Sequence, residues 1–190
     1  MKSPGSGQKF LWGVSCSPYQ HEGGYNGEGQ PRNNWYDWEI SGKIEKSGQS
    51  VDFWNRYEED FDRAEMMGLS AYRLGIEWAR LQPGGINTGM VEPVLERYVD
   101  MIQALRARNL EPLVTLSHFT TPRWLGRDPW LGEETPRIFS SFARQMLESL
   151  NRKLVDRGVM PPRWFITLNE PNMLAACTCL LYTSPSPRDQ

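Results

Sequence analysis

A carboxylic acid next to a carboxamide follows one of the apolar runs of this sequence. Asn169 and Glu170 stand between Thr167-Leu168 and Pro171, directly after a run that begins at Trp164. A carboxyl group in a partly apolar cleft keeps its proton near neutral pH and can deliver it to a poor leaving group, as cleavage of a glycosidic bond requires. Asn169 beside it can hydrogen-bond a sugar hydroxyl. A glutamate that only caps an ordinary loop is the alternative interpretation of this motif.

Two other polar side chains have a similar relation to apolar runs. His118 follows a run that ends at Ser117, and an imidazole there can donate a hydrogen bond to a hydroxyl. Arg73 lies inside a further run, where a charged residue is rarely tolerated unless it is paired or functional. An arginine in such a place can hold a nearby carboxylate in its ionised form. Trp124 can provide a flat platform for the apolar face of a pyranose, although a single tryptophan is more often part of a core.

The elements that must position these residues alternate between strands and helices. Apolar side chains at helical spacing predict three helices, near residues 53–67, 93–105 and 135–157. Thr135 is the predicted cap of the third helix, and Gly158 is its predicted end. Short apolar runs predict four strands, and these lie near residues 10–16, 71–77, 112–117 and 164–169.

Strand–helix alternation predicts an α/β protein with a parallel sheet and right-handed crossovers. The pattern fits a doubly wound sheet and a barrel equally well. No Gly-x-Gly-x-x-Gly motif follows a strand, which argues against a dinucleotide fold. The long segment from Gln20 to about Ser50 is rich in Gly, Asn, Trp and Tyr. Long connections of this kind are usually binding loops, and in a barrel this one would lie at the carboxyl ends of the strands.

Composition excludes several functional classes. The 190 residues are 39% hydrophobic and 12% aromatic, enough for a packed core, and the formal net charge is −2. There is no basic cluster, so a nucleic-acid role has no electrostatic support. No apolar run approaches the ~20 residues that span a bilayer. The first residues lack the layout of a signal peptide, and the three cysteines cannot all pair within the chain, so we expect a cytoplasmic protein.

Four motifs, taken in order, resemble those of glycoside hydrolase family 1. The first is Phe10-Leu-Trp-Gly-Val-Ser-Cys-Ser-Pro-Tyr-Gln20-His-Glu-Gly23, and the second is Tyr72-Arg73-Leu-Gly-Ile-Glu77-Trp-Ala-Arg80. The third is His118-Phe119 with Pro122 and Trp124, and the fourth is Thr167-Leu-Asn169-Glu170-Pro171. The resemblance runs from about Phe10 to Asn172. It implies a (β/α)8 TIM barrel, here about its first four βα units, and a retaining double-displacement mechanism.

The resemblance also implies roles for individual residues. Glu170 matches the general acid/base, and Arg73 matches the arginine that steadies the nucleophile. Asn169 looks like the partner of the sugar 2-hydroxyl, and Gln20 and His118 look like partners of the outer hydroxyls. The nucleophilic glutamate of the family is expected beyond Gln190.

One position departs from the family pattern. Phe119 stands where the family often has tryptophan after the histidine, which keeps an apolar wall but loses an indole N–H. No metal site and no cofactor are implied.

The expected activity is hydrolysis of small β-glycosides, such as aryl glucosides or cellobiose. Two alternatives stay open: a sugar-binding module without turnover, and another carboxylate-pair barrel such as an endo-acting cellulase. The Gln20-x-Glu22-Gly23 motif and its long aromatic loop argue against the cellulase.

The two ends of the sequence differ from its middle. Residues 1–9 are polar and rich in Gly and Ser, and we expect them to be disordered. Residues 10–176 form the barrel part. The stretch 177–190 has two Ser-Pro pairs, and from about Cys179 it resembles translated sequencing-adapter sequence. We therefore expect this tail to be non-native.

Overall fold

A computed structural model describes residues 10–24, 32–126, 128–173 and 175–176. The described residues form a sheet of four strands in the order β1-β2-β3-β4. The strands are β1 (Gly13–Ser15), β2 (Ala71–Gly75), β3 (Glu111–Thr115) and β4 (Trp164–Ile166). All neighbouring pairs are parallel, so the predicted parallel α/β architecture is confirmed. The predictions for residues 1–9 and for the tail 177–190 concern residues outside the described part of the chain.

The helices follow the strands in the predicted alternation. They are α1 (Asn34–Ile40), α2 (Phe53–Met66), α3 (Trp78–Leu81), α4 (Glu92–Ala107) and α5 (Thr135–Asp156). The three predicted helices correspond to α2, α4 and α5, and the two short helices were missed. A π-helical turn, Pro18–Glu22, follows β1, and single 3-10 turns occupy Arg123–Leu125 and Pro129–Leu131.

The start of α5 differs from its prediction. Glu134 occupies the N-cap position and Thr135 is already helical. The Thr135 hydroxyl donates instead to the carbonyl oxygen of Pro129 in the preceding turn. The predicted cap was therefore wrong by one residue, because the helix begins at Thr135 itself. The predicted end of α5 was closer to the observed one. Gly158 lies just after the helix with a φ of +69°, a conformation that glycine adopts without a steric penalty.

The two faces of the sheet have different environments. Tyr72, Leu74, Val114 and Leu116 are each at most 4% exposed, and they pack against the apolar stripes of α2, α4 and α5. The alternate residues Arg73 and Thr115 project to the opposite face, where their side chains meet. This second face is the one that lines the interior of a barrel, and it carries the polar site residues.

The outer strands of the sheet are open. All three residues of β1 are exposed, and Trp164 at the start of β4 is 41% exposed. Among the described residues no strand pairs with the outer edge of β1 or of β4. The sheet is therefore open at both edges, as the predicted four βα units of a barrel would leave it.

Candidate active site

The predicted polar residues lie at one edge of the sheet. Gln20 lies in the turn after β1, His118 follows β3, and Asn169 and Glu170 follow β4. Because the strands are parallel, their carboxyl ends meet at the same edge. The sequence motifs are separated by up to 150 positions, yet the fold places them together.

Arg73 on β2 connects the strands at this edge. Its Nε donates to Oγ1 of Thr115 on β3 at 2.8 Å, and its Nη2 donates to Oδ1 of Asn169 at 2.6 Å. The backbone N–H of Asn169 donates to the carbonyl of Ser117 at 2.9 Å. Asn169 is only 7% exposed, with its side-chain amide held by Arg73 on β2 and its backbone held by Ser117 after β3.

Glu170 follows Asn169 in an unusual backbone conformation. Its φ is +43°, in the left-handed region that few residues other than glycine adopt. Such a conformation costs of order 1 kcal/mol and tends to occur at functional sites. The Glu170 side chain is exposed to solvent. The backbone therefore turns sharply at the carboxylate that directly follows the anchored amide.

His118 is a half-buried and neutral imidazole. Burial, together with the electrostatic effects of Arg73 and His21, lowers its pKa to about 4. Within the described part of the chain, its buried Nδ1 has no hydrogen-bond partner. The ring can therefore exchange hydrogen bonds with a hydroxyl of a ligand near neutral pH.

An aromatic wall stands beside His118. Phe119 packs edge-on to the imidazole with ring centroids 5.1 Å apart, and Trp35 is stacked parallel to Phe119 at 6.1 Å. Tyr19 meets the other side of Trp35 edge-on at 5.2 Å. The long loop predicted to be functional thus contributes an aromatic ring to this edge, although the sequence did not single out Trp35.

Gln20 is exposed, and it accepts hydrogen bonds from a serine just before the long loop and from a serine at the end of that loop. Its Oε1 accepts a hydrogen bond from the Ser17 hydroxyl, and its backbone carbonyl accepts one from the Ser50 hydroxyl. These contacts fix the turn after β1 relative to the end of the loop.

Trp124 lies apart from the other predicted residues. Its indole N–H donates to the carbonyl of Gln82 at 2.7 Å, and its ring meets Trp78 edge-on at 5.7 Å. Its described contacts therefore belong to the packing around α3, and none of them is with Gln20, His118 or Asn169.

Sequence reasoning missed a buried ionic pair behind the site. Glu22 and Arg80 are 1% and 7% exposed, and the guanidinium Nε lies 3.1 Å from the carboxylate. Glu77 is fully buried nearby, and burial raises its pKa to about 7. Their charges inside apolar motifs were the only sequence signal for this arrangement.

Two further properties concern metal sites and membrane-spanning helices. Among the described residues, no group of three or more His, Cys, Asp or Glu side chains is arranged to hold a metal ion. No helix in the same part of the chain is both long and apolar enough to cross a membrane.

Comparison with known proteins gives one consistent result. A family model described as glycosyl hydrolase family 1 matches residues 6–186. Beta-glucosidase 40 of Arabidopsis thaliana is 36% identical over 170 residues, covering 87% of this chain and 32% of the relative. A 6-phospho-beta-galactosidase of Lacticaseibacillus casei is 33% identical over 171 residues, covering 88% and 34%. The chain therefore spans about a third of the length of these curated relatives.

Solved structures agree with the sequence comparison. A beta-glycosidase from Pyrococcus horikoshii superposes with a TM-score of 0.76 at 30% identity, covering 93% of this chain and 38% of that one. A beta-glucosidase from Thermotoga maritima in complex with castanospermine gives a TM-score of 0.76 at 29% identity, covering 90% and 38%.

Proposed function

The chain belongs to glycosyl hydrolase family 1, and on that basis we propose that it supplies the acid/base half of the active site of a retaining β-glycosidase. The observation that carries the proposal is the placement of Glu170. It directly follows Asn169, which Arg73 holds by a 2.6 Å hydrogen bond at the carboxyl edge of the sheet. A carboxyl group at the end of a barrel strand, next to a fixed amide, suits proton delivery to a glycosidic oxygen.

In the proposed mechanism, Glu170 acts twice. It first donates its proton to the departing oxygen while a second carboxylate attacks the anomeric carbon. It then removes a proton from the water that hydrolyses the glycosyl-enzyme intermediate. The second carboxylate is expected from chain beyond residue 190, about 5–5.5 Å from Glu170 as the retaining route requires. That further chain must also cover Glu170, which is exposed here.

The remaining polar residues are proposed to bind the sugar. The amide N–H group of Asn169 donates to the 2-hydroxyl, since its oxygen already accepts from Arg73. His118 and Gln20 bind the outer hydroxyls, and the neutral state of the imidazole suits that role. The positive charge of Arg73 favours the ionised form of the nucleophile. For Trp124 a platform role has less support, because its contacts are with Trp78 and Gln82.

The proposed substrates are small β-glycosides such as aryl glucosides or cellobiose. A cytoplasmic location is part of the same proposal. The two alternatives, a sugar-binding module and an endo-acting cellulase, make different predictions. The first would bind glucose without turnover, and the second would cleave cellulose in preference to cellobiose.

The test is an assay of the full-length gene product. Its gene is recovered by extending the known sequence upstream and downstream of the codon for Asn172. We expect hydrolysis of 4-nitrophenyl β-D-glucoside, with β-glucose as the first product seen by proton NMR. Glu170→Gln should abolish most of this turnover, whereas Glu65→Gln, the same change at an exposed position of α2, should leave it intact. First formation of α-glucose, or equal activity of the two variants, would overturn the proposal.

A further inference from the structure

A buried polar network joins the two loops that carry the proposed sugar contacts. One loop follows β1 and carries Gln20, and it sends Glu22 into the interior. The other follows β3 and carries His118, and it sends Thr120 inward, where it is 4% exposed. The two side chains do not meet directly. They are connected through residues of α4 and of the end of β2.

Tyr98 and Arg80 both donate hydrogen bonds to Glu22. The Tyr98 hydroxyl on α4 donates to Oε1 of Glu22 at 2.9 Å, and Arg80 Nε donates to Oε2 at 3.1 Å. Arg80 also donates to the carbonyl of Gly23 at 3.3 Å, and its guanidinium lies 4.2 Å from the ring centroid of Trp54. The loop after β1 is therefore fixed to α3 and α4 through its own carboxylate.

The Thr120 end is fixed to the same place through Glu77. The Thr120 hydroxyl donates to Oε2 of Glu77 at 2.7 Å, and the Ala79 N–H donates to Oε1 at 3.0 Å. The backbone N–H of Glu77 donates to the Tyr98 hydroxyl at 3.0 Å. Glu77 therefore binds one loop with its side chain and, through Tyr98, the other loop with its backbone.

The cost of burying these polar groups favours a role in positioning the two loops over a role in stabilising the fold. Glu22 and Glu77 are both buried, and the guanidinium of Arg80 is bonded to Glu22. Removing charged groups from water is costly, and apolar residues of the same volume often stabilise a protein as well or better. Buried polar groups of this kind are best known for fixing one arrangement of neighbouring elements.

We propose that Glu77, together with Tyr98 and Thr120, positions Gln20 and His118 relative to each other and so sets the affinity of the site for its sugar. The inference rests on the proposed function, since it assigns these residues to the same sugar site. None of the three needs to touch the substrate. They act through the loops. When one of these hydrogen bonds is lost, the two loops can move apart. The hydrogen bonds that Gln20 and His118 must make to the sugar at the same time then become weaker.

The experiment uses the full-length gene product and two adjacent threonines. Thr120→Val removes the hydroxyl that binds Glu77 and nearly preserves the shape of the side chain. Thr121→Val is the matched control: Thr121 is 1% exposed, and its hydroxyl has no hydrogen-bond partner within the described residues. Both variants are assayed with 4-nitrophenyl β-D-glucoside, with glucose as a competitive inhibitor, and both are melted to verify folding.

We expect Thr120→Val to weaken glucose inhibition and to raise KM about tenfold, the factor that corresponds to about 1.4 kcal/mol. The turnover number should change less than the affinity, because Glu170 lies on a different loop. Thr121→Val should match the wild type. Tyr98→Phe breaks the network at its centre and should reproduce the affinity loss, which keeps the test decisive if Thr120→Val does not fold.

The experiment distinguishes a failure of the proposed function from a failure of this inference. A wild-type protein without glycosidase activity would overturn the proposed function and this inference with it. An active wild type in which Thr120→Val and Tyr98→Phe bind glucose as tightly as Thr121→Val would overturn the inference alone.

Discussion

Arg73 and Asn169, which are 96 positions apart in the sequence, are joined by a 2.6 Å hydrogen bond from the guanidinium Nη2 to the amide Oδ1. The same guanidinium binds Thr115, so β2, β3 and the segment after β4 share one anchor. Because the amide oxygen already accepts from Arg73, the N–H group is the part of Asn169 that a ligand can use.

This orientation gives a prediction for Asn169→Asp in the full-length gene product. The carboxylate keeps the shape of the amide and accepts a stronger, charge-assisted hydrogen bond from Arg73. It has no N–H group for the sugar, and a lost hydrogen bond of about 1–3 kcal/mol lowers kcat/KM roughly 5- to 150-fold. We therefore expect a large loss of activity with no fall in the thermal midpoint.

Gln145→Glu is the control for that change, since it converts an exposed amide of α5 into an acid. It should leave kcat/KM unaltered. Wild-type activity in Asn169→Asp would show that the amide N–H group does not bind the substrate.

Glu77→Gln tests the buried carboxyl through its pH dependence. Burial, aided by the charge of Glu22 and opposed by Thr120, the Ala79 N–H and Arg80, raises the pKa of Glu77 to about 7. The folded state therefore binds the proton more tightly than the unfolded state does. The contribution of Glu77 to stability is most favourable at low pH and declines as the pH rises through the interval up to about 7.

Glutamine imitates the protonated form at every pH. We expect the thermal midpoint of Glu77→Gln, relative to the wild type, to rise between pH 5 and pH 8, with a free-energy change of the order of 3 kcal/mol at most. Glu59→Gln is the control, because Arg56 lowers the pKa of the exposed Glu59 and its effect falls below this pH range. A difference that stays flat from pH 5 to pH 8 would mean that Glu77 titrates normally.

The 190-residue chain by itself is predicted to be inactive and to self-associate. The retaining route needs two carboxylates, and the resemblance places the second beyond residue 190. The outer edges of β1 and β4 are unpaired among the described residues, and Trp12, Val14 and Trp164 are 68%, 41% and 41% exposed. Open edges and apolar patches of this kind favour association.

Size-exclusion chromatography with an aryl β-glucoside assay checks this prediction. We expect dimers or larger species without turnover. A uniform monomer whose turnover is lost in Glu170→Gln would instead require a nucleophile within these residues.

The sequence predicted the strand and long-helix pattern well, because buried parallel strands are short apolar runs and long helices repeat at 3.6 residues. It missed α3, since four residues are too few to show a period. It misassigned Thr135 as a cap, because a threonine before a proline is typical of a helix start and does not show that the helix already includes Thr135.

The residues of the candidate site also divide into those that sequence reasoning predicted and those that it missed. Asn169, His118 and Gln20 were predicted from their places after strands and from the resemblance, and the fold places all three after strands at the same edge of the sheet. The bond from Tyr98 to Glu22 spans 76 positions and follows no local pattern, so only the fold reveals it.

The role of Glu170 as proton donor is tested most directly by comparing leaving groups. In the full-length gene product, Glu170→Gln should slow cleavage of phenyl β-D-glucoside by about 10²–10⁴-fold, since phenolate departs poorly without a proton. Bond cleavage in 2,4-dinitrophenyl β-D-glucoside should be almost unaffected, and the loss should appear instead in hydrolysis of the glycosyl-enzyme intermediate, as a burst of the phenol. An equal loss for both substrates, without a burst, would contradict the assignment of Glu170 as the general acid.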